Sequence, residues 1–599
     1  MFCRRYRSAR RITSNFPVSE VPAAVTNPIH YRLLHRKIAL FGGLVLLCVF
    51  VGQGVFFIRA NSQTVDEATH LAAGYSYLTT RDFRLDAEHP PFIKELQAFP
   101  LWVVYKLPFR PDLQQWRDAD QEQIGLDFLY KSAIPSDQIL AWSRFTNLFL
   151  GVLLVALIGW WAYRLWGSLP AMLAMTLASL EPNLVAHSAL VTTDLGVALF
   201  IFLAVYLLWE YLQLPTWGRL AAVGVSTGLA LASKFSALFL VAALSLILAL
   251  LVLTGESCAL PSNKARIDRR PKIAQLGTLF LIVLFVAFLT IVPVYFFQGV
   301  VPWVTGLREF LGHADTGHLS FFFGNYSYQG WWDYFGIAFL IKTPIGSLLL
   351  ITASLVLYRV GKPLQRRDAI LLLIPPALIF ISTTQAKVNI GLRHILPVYP
   401  FLFVLASRLA TVRLRREWAV PLIIGIPMIF TAISSLRISP HQLAYFNEFV
   451  GGPDQGYRYL SDSNIDWGQD LRGLKTYMEQ EKLPIIYLSY FGTAPPSAYG
   501  IRHQSVARTG IHEVSPPSDK VPATAARKIF AISVYNLQDV STGSSPLFRW
   551  LWLRQPIAKI GYSIFIYDLS NDSVGLMMLE RAYARGRTPA LSGQSIASN

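Results

Sequence analysis

Stretches of about 20 consecutive apolar residues recur along this chain, the length an α-helix needs to cross the hydrocarbon of a bilayer. Inside lipid every backbone N–H and C=O must be paired within the protein, so runs of this length fold as helices. The pattern predicts eleven spans, near 38–58, 139–163, 169–187, 191–212, 217–232, 235–254, 275–297, 336–358, 369–384, 395–412 and 418–437. Only 15% of the 599 residues are charged and mean hydropathy is +0.41, whereas soluble proteins carry about 25% charged residues. A purely soluble or disordered chain is excluded.

Charge orients the spans. The net charge is +17, but the bases sit in short blocks between apolar runs, the pattern of cytoplasmic loops. No nucleic-acid partner is expected. The arm 1–37 holds eight Lys/Arg and one acid, Glu20. The apolar run after it is long and lacks a convincing small-residue cleavage site, so it reads as an uncleaved span. With that arm cytoplasmic and eleven spans, the basic loops 255–274, 359–368 and 408–417 all fall inside. The loop 59–138, with twelve Asp/Glu against eight Lys/Arg, falls outside.

The part from 438 onward is then outside too. It changes composition: short β-rich runs at 485–491, 529–534 and 562–567 follow a helical stretch at 470–480, with Pro/Ser/Gly-rich connections between them. The expectation is a polytopic, mainly α protein: a transmembrane domain over 38–437 and a small extracytoplasmic α/β domain over 438–599, disordered at its end. No internal repeat is visible. Cys3, Cys48 and Cys258 all lie outside the segments placed externally, so neither a disulfide framework nor a cysteine metal site is expected.

The first outer loop carries most of the chemistry. It opens with Val65-Asp66-Glu67-Ala68-Thr69-His70, almost at the end of the first span. Ionised carboxylates are costly so near lipid, so Asp66 and Glu67 read as a metal site or a general base in preference to a solvated acidic loop. In Asp86-Ala87-Glu88-His89-Pro90-Pro91-Phe92-Ile93-Lys94 a diproline breaks the chain and starts a new amphipathic helix. Cations recur at the same outer rim: Lys94, Arg144 entering the second span, Lys234 between two spans, Lys342, and Arg393-His394. Singly each suits a snorkelling flank residue; together they would ring one vestibule with phosphate-binding groups. Asp194 opens the fourth span, either as a helix-end acid or facing Asp66. Trp331, in the aromatic loop 298–335, suits an interfacial belt or a sugar contact. Asp466 and Trp467, in the polar run 461–470, suit a turn and helix cap or a carbohydrate or acceptor contact.

These residues resemble the GT-C superfamily of membrane glycosyltransferases that use lipid-phosphate-linked sugars. The nearest type is the dolichyl-phosphate-mannose–protein mannosyltransferase, glycosyltransferase family 39, with its bacterial relatives. The family's Asp-Glu pair after the first span is matched by Asp66-Glu67. Its His-Pro-Pro-x-x-Lys is matched by His89-Pro90-Pro91-Phe92-Ile93-Lys94, and its Arg early in the second span by Arg144. The resemblance implies Asp66 as general base, Glu67 as its supporting carboxylate, and His89, Lys94 and nearby cations as the holders of the departing lipid phosphate. Bacterial aminoarabinose transferases of this type carry Glu-Lys-Pro-Pro where this chain has Glu88-His89-Pro90-Pro91. That Glu can bind a metal, which makes Glu88 a candidate ligand for a divalent ion; no other cofactor is implied.

The chain departs from the eukaryotic enzymes. It has no large β-trefoil insert at 298–335 and adds the α/β tail. A bacterial polyprenyl-phosphate donor is therefore expected, with a protein, lipid or glycan as acceptor. The expected activity is transfer of a hexosyl or pentosyl unit to an acceptor hydroxyl on the outer side of a bacterial inner membrane. The alternative from another class is a lipid-linked sugar transporter, which would show intramembrane charges and broken helices. A structural membrane component would leave the rim charges unexplained.

Overall fold

A computed structural model of the chain describes residues 28–256, 260–261, 273–416, 418–506, 519–540 and 546–587. The basic arm before residue 28, the basic block 262–272 and the chain end from 588 lie outside the described residues. The fold is mainly helical. Among the described residues six helices are long and apolar enough to cross a membrane: Ala39–Ala60, Ser136–Trp166, Asp194–Gln213, Phe235–Leu253, Gln275–Val294 and Ala419–Ile438. Two more runs are bent pairs, Ser168–Ser179 with Pro182–Ser188 at 66° and Tyr334–Lys342 with Ile345–Val356 at 112°; counting each as one span gives up to eight. The other expected runs form the shorter helices Trp217–Leu231, Arg366–Thr383 and Val398–Thr411.

Proline explains both bends. Pro182 begins its helix and Pro344 directly precedes Ile345. A proline donates no N–H and disfavours helical geometry in the residue before it, so each preceding helix stops there. Asp194–Gln213 lies at the centre, its apolar window 89% buried, whereas Gln275–Val294 and Ala419–Ile438, at 22% and 17%, turn most of theirs outward. The outward residues include Leu281, Phe285, Ile426 and Ile433, as a lipid-facing surface requires.

Between the first two long helices the chain builds a compact shoulder from Glu67–Thr80, Phe92–Pro100 and Gln121–Tyr130. Their apolar faces, among them Leu71, Tyr75, Ala98 and Leu129, form a core of their own. The diproline acts as expected, with Pro91 capping Phe92–Pro100. Gly74 lets the first two of these helices touch: a Cβ there would stand 2.2 Å from the Lys94 carbonyl oxygen.

The C-terminal region carries a five-stranded sheet in the order His503–Ser505, Ile486–Ser489, Ile529–Ser533, Ile564–Asp568, Ala558–Ile560. The first three pair in parallel and the rest antiparallel. Leu471, Leu474 and Met478, one face of the helix Leu471–Gln480, pack on Ile486, Leu488, Ile529 and Ile566. The three longer strands fall where the β-rich runs predict them. The short strands at 503–505 and 558–560 carry too little alternation to be read from sequence. This region is bonded to the end of the first span: Ser62 N donates to Gln469 O (2.7 Å) and Val65 N to Trp467 O (3.0 Å).

Gly74→Ala forces the two shoulder helices apart. It should lower stability by about 1–3 kcal/mol, measured as a reduced unfolding midpoint in detergent, while Gly218→Ala, with open space at its Cβ, should leave the midpoint unchanged.

Candidate active site

The segment Asn61–Glu67 is clamped before its helix begins. Glu67 is fully buried. Its Oε1 accepts from Arg144 Nε (2.8 Å) and Val191 N (2.9 Å); its Oε2 accepts from Arg144 Nη2 (2.6 Å) and Thr64 N (2.8 Å). Arg144 also donates to the carbonyls of Asn61 (3.0 Å) and Ser62 (2.7 Å). This fork-to-fork pair fixes the chain on either side of Asp66, which itself faces the other way. The Asp66 side chain is 26% exposed and lines a cavity of about 870 Å³.

Charges alternate along the cavity wall and just behind it, where Asp194 is buried. Arg393 Nη1 donates to Asp66 Oδ2 at 2.8 Å and lies 3.7 Å from Asp194 Oδ2. Asp194 Oδ1 accepts from Lys234 Nζ at 2.5 Å. Arg393 stacks over the Trp467 ring, 4.2 Å from its centroid. Arg393 Nε and His394 Nε2 are buried without a hydrogen-bond partner. Burial pushes the Asp66 carboxyl up, but Arg393, His70 and His89 outweigh it and hold the group below the usual carboxylate value. Asp66 is therefore ionised at neutral pH. Burial, reinforced by Lys234 and Arg393, drives His394 well down, so that imidazole is neutral.

The neighbouring wall is built on Asp86. Lys94 Nζ donates to its Oδ2 (3.0 Å) and its carbonyl (2.8 Å), and His89 Nδ1 meets its Oδ1 at 2.8 Å. His70 Nε2 lies 3.6 Å from Asp86 Oδ2, and His70 Nδ1 is 3.2 Å from Val191 O. Burial lowers His70. The opposite wall comes from the C-terminal region: Trp467, Asp462, and the stacked rings of Phe491 and Tyr535, 3.8 Å apart at 12°. Burial pushes the Asp462 carboxyl up.

The expectation of one ring of free cations is corrected by this geometry. Lys234, Arg393, His394 and His89 line the cavity. Lys94, Arg144 and Lys342 are buried behind it, held by Asp86, by Glu67 and by the carbonyls of Leu443 and Asn464 respectively. A long side chain that finds acceptors inside the protein has no reason to snorkel outward. Asp194 reaches Asp66 only through Arg393. Trp331 packs on Phe322 (5.3 Å between centroids) away from the cavity. Asp466 is buried and accepts from Tyr535 N (3.0 Å) and Gly468 N (3.3 Å), the turn role, and burial pushes its carboxyl up to about 8. Glu88, the candidate metal ligand, meets His313 Nδ1 at 2.8 Å. Two donors fall short of the three or four protein ligands of a usual site, so Glu88 is given no metal step. Sequence reasoning passed over His70 and Asp86 as site residues. His70 lies four residues after Asp66, a spacing that puts side chains on the same helix face.

Residues 55–301 match the family model described as dolichyl-phosphate-mannose-protein mannosyltransferase. The match spans the first outer loop and the helices that follow it, and it stops short of the C-terminal region. The matched region contains Asp66, Glu67, the diproline motif, Arg144, Asp194 and Lys234, while Arg393 and Trp467 reach the cavity from beyond it. Among solved structures, the chain is similar to ArnT from Cupriavidus metallidurans in the apo state, at 14% identity over 91% of this chain and 98% of that one, with a TM-score of 0.46. The same protein bound to undecaprenyl phosphate matches at 13% identity over 90% and 98%, with a TM-score of 0.43. The archaeal oligosaccharyltransferase AglB from Archaeoglobus fulgidus, in complex with an inhibitory peptide and a dolichol-phosphate, matches at 12% identity over 73% and 58%, with a TM-score of 0.42. Comparison with curated proteins finds no match.

The two neighbouring carboxylates should separate in experiment. Glu67→Leu leaves the Arg144 guanidinium buried without its counter-charge and should cost about 3–5 kcal/mol. Asp66→Asn removes only a part-exposed charge and should shift stability by less than about 1 kcal/mol. Thermal unfolding of both variants in detergent checks this; equal losses would place the two residues in the same role.

Proposed function

We propose that this protein is a glycosyltransferase that moves a sugar from a polyprenyl-phosphate carrier to an acceptor hydroxyl of a protein, lipid or glycan, with Asp66 as general base. One observation carries the reading. A single cavity at the end of the first span holds an ionised carboxylate, and bonded to it a guanidinium with a spare N–H, with Lys234 and His394 on the same wall. An acceptor hydroxyl attacks well only as its proton leaves. Asp66 takes that proton while the acceptor oxygen bonds to the anomeric carbon and the carbon–oxygen bond to phosphate breaks. The electron pair departs with the phosphate, whose added charge Arg393, Lys234 and His89 are placed to stabilise.

Arg393 links the two halves of the reaction. Its guanidinium holds Asp66 at 2.8 Å, and a donor phosphate competes for the same N–H groups. Donor binding therefore loosens the Asp66–Arg393 bond and makes Asp66 a stronger base when it is needed. Glu67 touches no cavity atom and acts as a positioning residue.

The six long helices, two bent pairs and three shorter helices support a reading of eleven spans in a domain over 38–437. The basic loops gather at one end: Lys362 N bonds to Thr411 Oγ1 (3.0 Å), Lys362 Nζ to Trp166 O (3.0 Å), Arg408 Nε to Lys362 O (2.9 Å) and Arg366 Nη1 to Thr254 O (3.2 Å). The cavity lies at the opposite ends of the helices that finish at Trp166 and Leu253. By the positive-inside rule the N-terminus is cytoplasmic, and the cavity and the α/β domain 438–599 lie outside a bacterial inner membrane.

A lipid-linked sugar transporter is the second reading, and the bent helix pairs favour it. Their breaks are, however, pinned together: Asn183 Nδ2 donates to Glu181 Oε1 (2.6 Å) and to Lys342 O (2.8 Å). Neither Glu181 nor Lys342 reaches the cavity.

Purified protein given a labelled polyprenyl-phosphate sugar and an acceptor extract should move the label to an acceptor. Asp66→Asn should cut transfer on the order of a hundredfold or more with donor binding retained. Arg393→Ala and Lys234→Ala should each weaken donor binding by roughly ten- to a hundredfold, the loss of a charge-assisted bond of about 1.5–3 kcal/mol. Wild-type transfer in Asp66→Asn, or label that crosses liposomes without being transferred, would reject the reading.

A further inference from the structure

We propose that His70, Asp86 and His89 form a three-ligand site for a divalent transition-metal ion of the zinc class, opening on the cavity that holds Asp66. Each offers one ligand atom, and these atoms all lie within 4.8 Å of one another. His70 and Asp86 are buried and His89 is half-buried, and all three line the cavity.

The hydrogen bonding around the cluster is compatible with a cation. Val191 O can only accept, so at 3.2 Å from His70 Nδ1 it sets the proton on that nitrogen. His70 Nε2 then presents a lone pair, and the atom it faces at 3.6 Å is a carboxylate oxygen of Asp86. Lys94 Nζ, 3.0 Å from the same oxygen, supplies positive charge from one side; a cation between the imidazole and the carboxylate would bond to both. The separation suits one: metal bonds of about 2.0–2.2 Å at a tetrahedral angle set two ligand atoms about 3.4 Å apart. His89 Nδ1, 2.8 Å from Asp86 Oδ1, supplies the third donor by exchanging that hydrogen bond for the metal.

The surroundings fit the same role. A metal-bound imidazole usually gives its other N–H to a backbone carbonyl or carboxylate, which fixes its tautomer and orientation; Val191 O does this for His70. The ligating carboxylate is held as well, with Asp86 Oδ2 and its carbonyl on Lys94 Nζ, and Asp86 N on Gln121 Oε1 at 2.9 Å. Two imidazoles and one carboxylate suit zinc or cobalt over magnesium, calcium or manganese, which prefer all-oxygen sites. Three protein ligands leave a fourth position toward the cavity, the arrangement of an open site rather than a structural one. Under the transferase reading, on which this last step rests, that position meets an oxygen of the donor phosphate beside Arg393.

The test reads metal without donor, so its failure is distinct from failure of the transferase reading. The full-length protein is stripped with chelator and titrated with Zn2+ by calorimetry, and with Co2+ by its visible absorption. Expected is a single saturable site whose cobalt spectrum is that of a four-coordinate nitrogen–oxygen set. His70→Asn and His89→Asn should each weaken zinc binding by more than about a hundredfold, beyond the roughly 10–100-fold typical of losing an outer-shell partner, while His313→Ala should bind as wild type. X-ray absorption at the zinc edge of the wild type should show two imidazoles, which keeps the proposal testable if a variant fails to fold. Full zinc affinity in both histidine variants, loss of the site in His313→Ala, or an edge spectrum without imidazole would overturn it.

Discussion

The site depends on one buried ion pair. Glu67 and Arg144 stand in the interior with no water to solvate them, and each finds its partner plus backbone groups for almost every remaining donor and acceptor. Desolvating two charges is costly, and only such complete pairing offsets it. Its effect is geometric. It joins the end of the first long helix, the start of the second and the turn at Val191, three pieces distant in sequence. The residue before Glu67 has no freedom left in its backbone, so Asp66 projects into the cavity with a fixed origin.

From that origin the cavity is built as an alternation of sign: Asp66, Arg393, Asp194, Lys234. Each cation is neutralised locally, so the site is stable when empty of ligand, yet Arg393 and His394 retain unpaired nitrogens that an anion can engage. The floor under Arg393 is Trp467, from the C-terminal region, whose backbone carbonyl also takes the Val65 N–H. The sheet-bearing region is thus more than an appendage to the helices. It closes the cavity that residues 55–301 open, and its stacked Phe491 and Tyr535 face the same space.

Much of this was legible in the sequence because it rests on local rules. Apolar run length located helices, of which six to eight rather than eleven are long enough to span; the diproline located Phe92–Pro100, and β-rich runs located the three longer strands. Asp66 stood out because a carboxylate so near lipid needs a reason. The partners of the cations were not legible. Lys94, Arg144 and Lys342 look alike beside Lys234 and Arg393 in a list of helix-end bases, and only the tertiary arrangement decides which meet an internal acceptor. The bends at Pro182 and Pro344 were written in the chain, but continuous apolarity across them read as straight spans. His70 escaped because it falls one turn beyond the Asp66-Glu67 pair, on a helix whose direction relative to Asp86 depends on the Gly74 contact.

The same logic separates the residues that make the cavity from those that act in it. Glu67 and Lys94 share the sequence neighbourhood of Asp66 and His89, and like Arg144 they carry charge, yet all three side chains are almost wholly inaccessible. A buried, fully paired charge cannot change partners without leaving its mate unsatisfied, so it holds position. A part-exposed charge such as Asp66, with one strong bond to a cation that has other options, can exchange that partner for a ligand. Arg393 is that cation: it stands between two carboxylates, stacked on an indole, with a free nitrogen. Under the proposed transferase reading, an incoming phosphate binds it without breaking the frame. The rigid pairs therefore place the exchangeable one, and the cavity's chemistry is confined to the few charges that the frame leaves incompletely satisfied.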